Sequence, residues 1–215
     1  MTSRRSEHPV RPGFGVVILA AGASSRMGKP KLLLPWGATS ILGHLVRQWS
    51  SLGAAQVAVV RAAKDTFVAP ELDRLKFPAS NRIDNPAPER GMFGSVQCAA
   101  RWEGWKPDLT HWVIVLGDQP QLRLKTLGAL LDAAATQPHQ ICQPARQGRP
   151  RHPVVLPARA FAQLADCRDQ NLREFLENRS SGIAFCELDD PGLDFDLDTP
   201  ADYERACALF SGDPG

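Results

Sequence analysis

Val16-Val17-Ile18-Leu19 is a continuous apolar, largely β-branched run, the pattern of a strand covered on both faces of a parallel sheet. It ends in the small residues Ala20-Ala21-Gly22-Ala23-Ser24-Ser25. From Ser40 to Leu52, Ile41, Leu45 and Trp49 recur four apart with Leu42 and Val46 beside them, and Gly53 follows at a C-cap position. That spacing predicts a helix. Further strands are expected at 56–60, 79–84, 112–116 and 139–143, with helices at 63–75, 91–102 and 124–135 between and after them. Strands alternating with helices build βαβ units, so the fold class is α/β: a Rossmann-like, three-layer αβα arrangement with a mostly parallel sheet. Ligands then belong at the carboxyl ends of the strands.

The last third departs from strict alternation. Val154-Val155-Leu156 is a short strand, 159–165 and 171–178 are helical, and 182–188 alternates like an edge or antiparallel strand. Thr199-Pro200-Ala201-Asp202 opens a final helix with a capping hydroxyl, a proline at the first helical position and an acidic first turn.

Composition narrows the function classes. The chain has 215 residues, 43% hydrophobic and 22% charged, which excludes disorder and coiled coil. A net charge of +2, from 25 basic and 23 acidic residues with no long Lys/Arg run, implies no nucleic-acid partner. The five cysteines at 98, 142, 167, 186 and 207 form no CxxC or CxxH pair, as expected of buried thiols in a reducing cytoplasm. Arg4-Arg5 ahead of the apolar run Phe14 to Ala23 imitates an export signal, but that run is too short to span a membrane and leads straight into a functional-looking loop. The expectation is a flexible tail over 1–14, a single domain over 15–211, cytoplasmic location and no membrane partner.

The first loop fails two familiar templates. Gly13 and Gly15 precede the strand instead of following it as a GxGxxG fingerprint requires, and five residues separate Gly22 from Gly28 where a Walker P-loop has four. What remains is a run of small residues whose backbone N–H groups can approach an anion, followed by Arg26, Lys29 and Lys31. A cradle for phosphate and a solvated surface loop are both compatible with that composition.

The wider sequence separates the two. Leu19 to Gly37, LAAGASSRMGKPKLLLPWG, resembles the LAAGxSxRMGxxKxLLPxxG signature of the molybdenum cofactor nucleotidyltransferases, particularly the cytidylyltransferase branch. Asn85-Pro86 with Gly91-Met92 and Ser95-Val96, then Leu116-Gly117-Asp118-Gln119-Pro120, His152-Pro153-Val154 and Asp196-Leu197-Asp198-Thr199-Pro200 agree in order, from about Val16 to Leu209. The resemblance implies transfer of CMP from CTP to the terminal phosphate of a molybdopterin-type cofactor, with release of pyrophosphate. It also suggests transient contact with a molybdenum oxidoreductase.

Such a transfer is an in-line attack on the α-phosphorus, so the protein must gather several anions and stabilise the charge that builds between them. Mg²⁺ is the expected cofactor. The resemblance makes Asp118 a metal ligand and Asp198 its companion, with Asp196 a near neighbour and an N-cap as the competing role for Asp198 and Thr199. Arg26 and Lys31 are expected on the triphosphate, so Arg26, Lys31 and Asp118 form the catalytic set. Ala20, Ala21, Gly22, Ala23, Ser24 and Ser25 would line the nucleotide's phosphates, and Asn85, Gly91 and Ser95 its ribose or base. A turn-forming role for Asn85 is equally open. Arg149, Arg151 and His152, with Arg146, crowd a proline-rich loop suited to an acceptor phosphate. Arg151 stands where the family commonly has glycine, which leaves a sugar or polyol phosphate as an alternative acceptor and a non-catalytic cofactor carrier as a third reading. His152 is not needed as a general base, because an acceptor phosphate is already mostly ionised near neutral pH.

Overall fold

The structure is a computed structural model that describes residues 13–22 and 30–210. Its strands are β1 (Phe14–Leu19), β2 (Pro35–Trp36), β3 (Thr39–Ser40), β4 (Gln56–Ala62), β5 (Arg82–Asn85), β6 (His111–Leu116), β7 (Ile141–Arg146), β8 (Arg149–Pro150), β9 (Val154–Pro157) and β10 (Ile183–Glu187). Its α-helices are α1 (Ile41–Ser51), α2 (Val68–Arg74), α3 (Gly91–Arg101), α4 (Leu124–Thr136), α5 (Ala158–Leu164), α6 (Leu172–Glu177) and α7 (Pro200–Phe210). Apart from the small β2–β3 hairpin, the strands form one eight-stranded sheet in the order β10-β7-β9-β6-β1-β4-β5, with β8 beside β7. Strands β6, β1, β4 and β5 run parallel, as expected from their βαβ connections.

Alternation along the central strands divides the core in two. Val16 and Ile18 of β1 pack with Ile41, Leu45 and Trp49 of α1, with Val68 and Leu72 of α2 and with Leu127 and Leu130 of α4. Val17 and Leu19 face the opposite way, onto Phe93 and Val96 of α3, Phe161 of α5 and Phe175 of α6. Side chains two apart share one face of a strand, so a sheet buried on both faces must be apolar at every position. The chain lays α1 and α2 on one face while moving outward through β1, β4 and β5, then crosses through α3 on the other face to reach β6. The direction of winding therefore reverses between β1 and β6, and a crevice opens at their carboxyl ends.

Three expected elements are corrected. The helix expected at 63–75 is confined to α2, because the Asp65 carboxylate accepts the backbone N–H groups of Phe67, at 3.2 Å, and of Val68, and so starts the helix late. The strand expected at 79–84 begins only at Arg82, after a 3-10 turn at Ala79–Asn81. β10 lies at the sheet edge, one of its two expected readings, but it runs parallel to β7; the antiparallel strands are β8 and β9. The short link from β7 through the Gln147-Gly148 turn cannot cross the sheet, so the returning strand must reverse direction. Strand β1 begins at Phe14, inside the segment expected as tail, and Thr110 N–H donates to the Gly13 carbonyl at 2.9 Å. All five cysteines are free thiols. Among the described residues no helix is long and apolar enough to cross a membrane.

Candidate active site

The crevice at the reversal of the sheet is a cleft of about 1060 Å³. Ala20, Ala21 and Gly22 after β1, Pro30, Lys31 and Leu32, Lys64 to Val68 after β4, Gly91, Met92 and Ser95 of α3, and Gly117-Asp118 after β6 all line it. Glycine at 117 follows from packing: a Cβ there would stand 2.6 Å from Leu32 Cδ2 and 3.1 Å from the Leu19 carbonyl oxygen. The turn after β6 thus presses against Leu32 and the end of β1, with Asp118 beside it on the cleft. Gly91 has φ +80°, a left-handed conformation that favours glycine, and it turns the chain sharply into α3 so that its first turn faces the cleft.

Three charged side chains meet at one end. Lys31 Nζ lies 3.3 Å from Asp118 Oδ2 and 3.7 Å from Asp198 Oδ1. Asp118 and Asp198 are brought together by the stretch before α7, where Leu197 N–H donates to the Asp118 carbonyl at 3.1 Å. Leu197 itself is fully buried, and Gln119 Nε2 donates to Asp196 Oδ1 at 2.9 Å. Burial, followed by the nearby Asp118 carboxylate, pushes the Asp196 carboxyl above the ordinary aspartate range. Thr199 Oγ1 and the Asp202 carboxylate bond reciprocally across the start of α7, with Asp202 N–H donating to Thr199 Oγ1 at 3.2 Å and Thr199 N–H to Asp202 Oδ2 at 3.0 Å. The capping work falls to Thr199 and Asp202, which leaves the Asp198 carboxylate to face Lys31.

Among the described residues Asp118 Oδ1 is buried without a hydrogen-bond partner, a costly arrangement that a cation arriving in the cleft would relieve. Among the described residues no group of three or more His, Cys, Asp or Glu side chains forms an all-protein metal cage. One or two carboxylates completed by phosphate oxygens and water is the donor set that suits a small octahedral divalent ion. The residues present therefore fit Mg²⁺ or a similar ion held jointly with a phosphorylated substrate.

The other expected site residues divide. Ala20, Ala21, Gly22, Lys31, Gly91, Ser95 and Asp118 all line the cleft. Ala23, Ser24, Ser25 and Arg26 lie outside the described residues. Asn85 is only 1% exposed, its Nδ2 donating to Ser95 Oγ at 2.9 Å and its Oδ1 accepting Ala87 N–H at 2.9 Å. It builds the turn and orients Ser95, which is the residue of the pair that borders the cleft. Arg149, Arg151 and His152 lie outside that lining, around β8 and the approach to β9. Both residues of β8 are exposed, whereas Arg151 Nε bonds Asp194 Oδ1 at 2.7 Å and Arg146 pairs with the other oxygen of the same carboxylate. Burial shifts His152 down to about 4, only partly opposed by the Asp196 charge, so its imidazole is neutral near pH 7.

Sequence reasoning missed the segment 63–67, which it assigned to a helix and which borders the cleft instead. The signal was present in Lys64-Asp65-Thr66, a polar cluster directly after an apolar strand with a capping aspartate inside it.

Comparison with known proteins agrees with this geometry. Residues 16–183 match the MobA-like NTP transferase domain. A molybdenum cofactor guanylyltransferase of Rhizobium johnstonii is 32% identical, over 88% of this chain and 90% of that protein. Among solved structures, Rv0371c of Mycobacterium tuberculosis H37Rv in complex with manganese superposes with a TM-score of 0.65 at 25% identity, over 92% of this chain and 98% of the other. A nucleotidyl transferase from Methanothermobacter thermautotroptrophicus shares the fold, with a TM-score of 0.73 at 20% identity over 92% and 97% of the two chains. With its glycine-bearing turn after β1, its Asp118 after β6 and the cleft between them, the chain belongs to the MobA-like NTP transferase domain family.

Proposed function

We propose that this nucleotidyltransferase moves CMP from CTP to the terminal phosphate of a molybdopterin-type cofactor, releasing pyrophosphate, with Mg²⁺ as its metal. The observation that carries the reading is the convergence of Lys31, Asp118 and Asp198 at one end of a nucleotide-sized cleft, with a buried Asp118 oxygen that has no hydrogen-bond partner among the described residues. The residues that serve this one site run from Ala20 to Asp198, which favours a single domain over two independent ones.

Two carboxylates hold the Lys31 ammonium in the free protein. An incoming triphosphate offers that cation a stronger anionic partner, so Lys31 turns to the phosphate oxygens and Asp118 and Asp198 are released for the metal. The bound ion supplies neutralisation of charge on the phosphates and orientation of the leaving pyrophosphate. Backbone N–H groups of the Ala20-Ala21-Gly22 turn, together with Arg26, take the remaining phosphate charge. The acceptor is assigned to Arg149, Arg151 and neutral His152, outside the cleft lining on the β9 side, and its ionised phosphate requires no protein base.

CTP is favoured by Ala20-Ala21-Gly22, because the Ala21 methyl narrows the place where the guanylyltransferase branch usually carries a second glycine. The name of the 32% identical relative favours GTP as the second reading. Titration with CTP and GTP, each with Mg²⁺ and molybdopterin, followed by pyrophosphate release, tests both. Faster turnover of CTP supports the first reading; preferential turnover of GTP overturns it. Release only with a sugar phosphate would replace the acceptor.

A further inference from the structure

Burying a phenylalanine or methionine side chain stabilises a protein relative to leaving it in water, so large apolar groups left exposed inside a cleft invite explanation. Phe67 is 55% exposed and Met92 43% exposed, and both line the same cleft. They approach it from opposite sides of the sheet. Phe67 stands at the start of α2, whose Val68 and Leu72 pack on one face, and Met92 lies in the first turn of α3, whose Phe93 and Val96 pack on the other.

Neither residue is at a loose end. The Phe67 backbone is held by the Asp65 carboxylate at 3.2 Å, Asp65 N–H donates to the Ala62 carbonyl at 3.0 Å, and Ala63 N–H donates to the Asn85 carbonyl at 2.9 Å. That ties the Phe67 loop to the end of β5, from which the chain leads through Gly91 into α3. The strand order β6-β1-β4-β5 sets β4, which leads to Phe67, two strands from β6, which leads to Asp118, about 10 Å between those strands at normal spacing. Arg151 and His152 lie on the other side of Asp118, near β9. A nucleotide with its phosphates at Lys31 and Asp118, and its acceptor toward β9, therefore extends its base toward β4 and β5.

We propose that Phe67 and Met92 are apolar jaws that grip the faces of the nucleobase and so set nucleotide affinity, an inference that rests on the nucleotidyltransferase reading of this cleft. Rings and thioethers contact the flat faces of any base, so the pair supplies affinity without choosing between bases.

The test compares Phe67→Ala, Phe67→Tyr and Met92→Ala with the unaltered protein. Binding of CTP, of GTP and of inorganic tripolyphosphate is measured calorimetrically with Mg²⁺, alongside KM and kcat for nucleotide and acceptor. Phe67→Ala is expected to weaken both nucleotides about tenfold and leave tripolyphosphate unchanged, with a raised nucleotide KM and an unaltered kcat. Phe67→Tyr should restore binding, and Met92→Ala should lose several-fold. Equal weakening of tripolyphosphate, or a raised KM for the acceptor alone, would overturn the proposal, as would unchanged nucleotide binding in correctly melting variants. If the unaltered protein binds no nucleotide and releases no pyrophosphate, the nucleotidyltransferase reading itself fails.

Discussion

The backbone N–H of Leu197 donates to the carbonyl oxygen of Asp118 at 3.1 Å, joining the turn after β6 to the stretch that leads into α7. This bond, with the burial of the Leu197 side chain, draws Asp198 to Asp118 and lets both face Lys31. Two carboxylates far apart in the chain thereby form one anionic end of the cleft.

Replacing Asp118 by Asn keeps the size of the side chain and removes its charge. Pyrophosphate release is expected to fall at least about a hundredfold, the usual cost of deleting one charge-stabilising element. The melting temperature should hold, because Lys31 keeps Asp198 as a partner. Activity within threefold of the unaltered enzyme would remove Asp118 from the site.

Asp198 is half exposed, so its variant should show a milder, metal-dependent defect. Asp198→Asn is expected to raise the Mg²⁺ concentration for half-maximal activity about tenfold, with most of the rate recovered when the metal is raised. A loss of rate that Mg²⁺ does not rescue would argue against metal binding by this carboxylate.

Asp194 holds two arginines of the β7–β8 hairpin, Arg146 and Arg151. Burial alone would raise the Asp194 carboxyl, but its hydrogen bonds to Arg151 and then Arg146 outweigh that and hold it below the usual aspartate range. Asp194→Ala should cost about 1 kcal/mol in urea unfolding, and combining it with Arg151→Ala should add little, since the two share one interaction. Full additivity would show that Arg151 is stabilised by something else.

Stability should fall with acid in a window set by histidines. Burial lowers His152 to about 4 and also lowers His44 and His111 from 6.5. Between about pH 6.5 and 4 the unfolded chain binds these protons more readily than the folded one, so the contribution is intact above pH 6.5 and is lost as pH falls through the folded values. For His152 the loss is on the order of 3 kcal/mol. Thermal melts from pH 4.5 to 7.5 should show a rising curve that His152→Gln flattens. An equal slope in that variant would move the effect to other groups.

Much of this fold was legible along the chain because burial on both faces leaves an unbroken apolar run at β1 and at β6, and because one buried helix face repeats Ile41, Leu45 and Trp49 at four-residue spacing. The segment 63–67 was misread as helix, although Asp65, whose carboxylate takes the backbone N–H groups of Phe67 and Val68, is a capping residue that marks a later helix start. Asn85 shows the same limit within the site: its type and place after a strand left a cleft-facing and a turn-forming role equally open, and its bonds to Ser95 and Ala87 select the turn.

Sequence alone determined the layered α/β class, the family and the chemical kinds of group at the site, since periodicity, turn residues and short motifs are local properties of a chain. Tertiary structure alone decided which of those groups meet. The pairing of Lys31 with Asp118 and Asp198, the capture of Arg151 by Asp194, and the placing of Phe67 and Met92 on one cleft all join residues far apart in sequence. Such contacts depend on strand order and on which face each helix covers, and neither is encoded within any one segment.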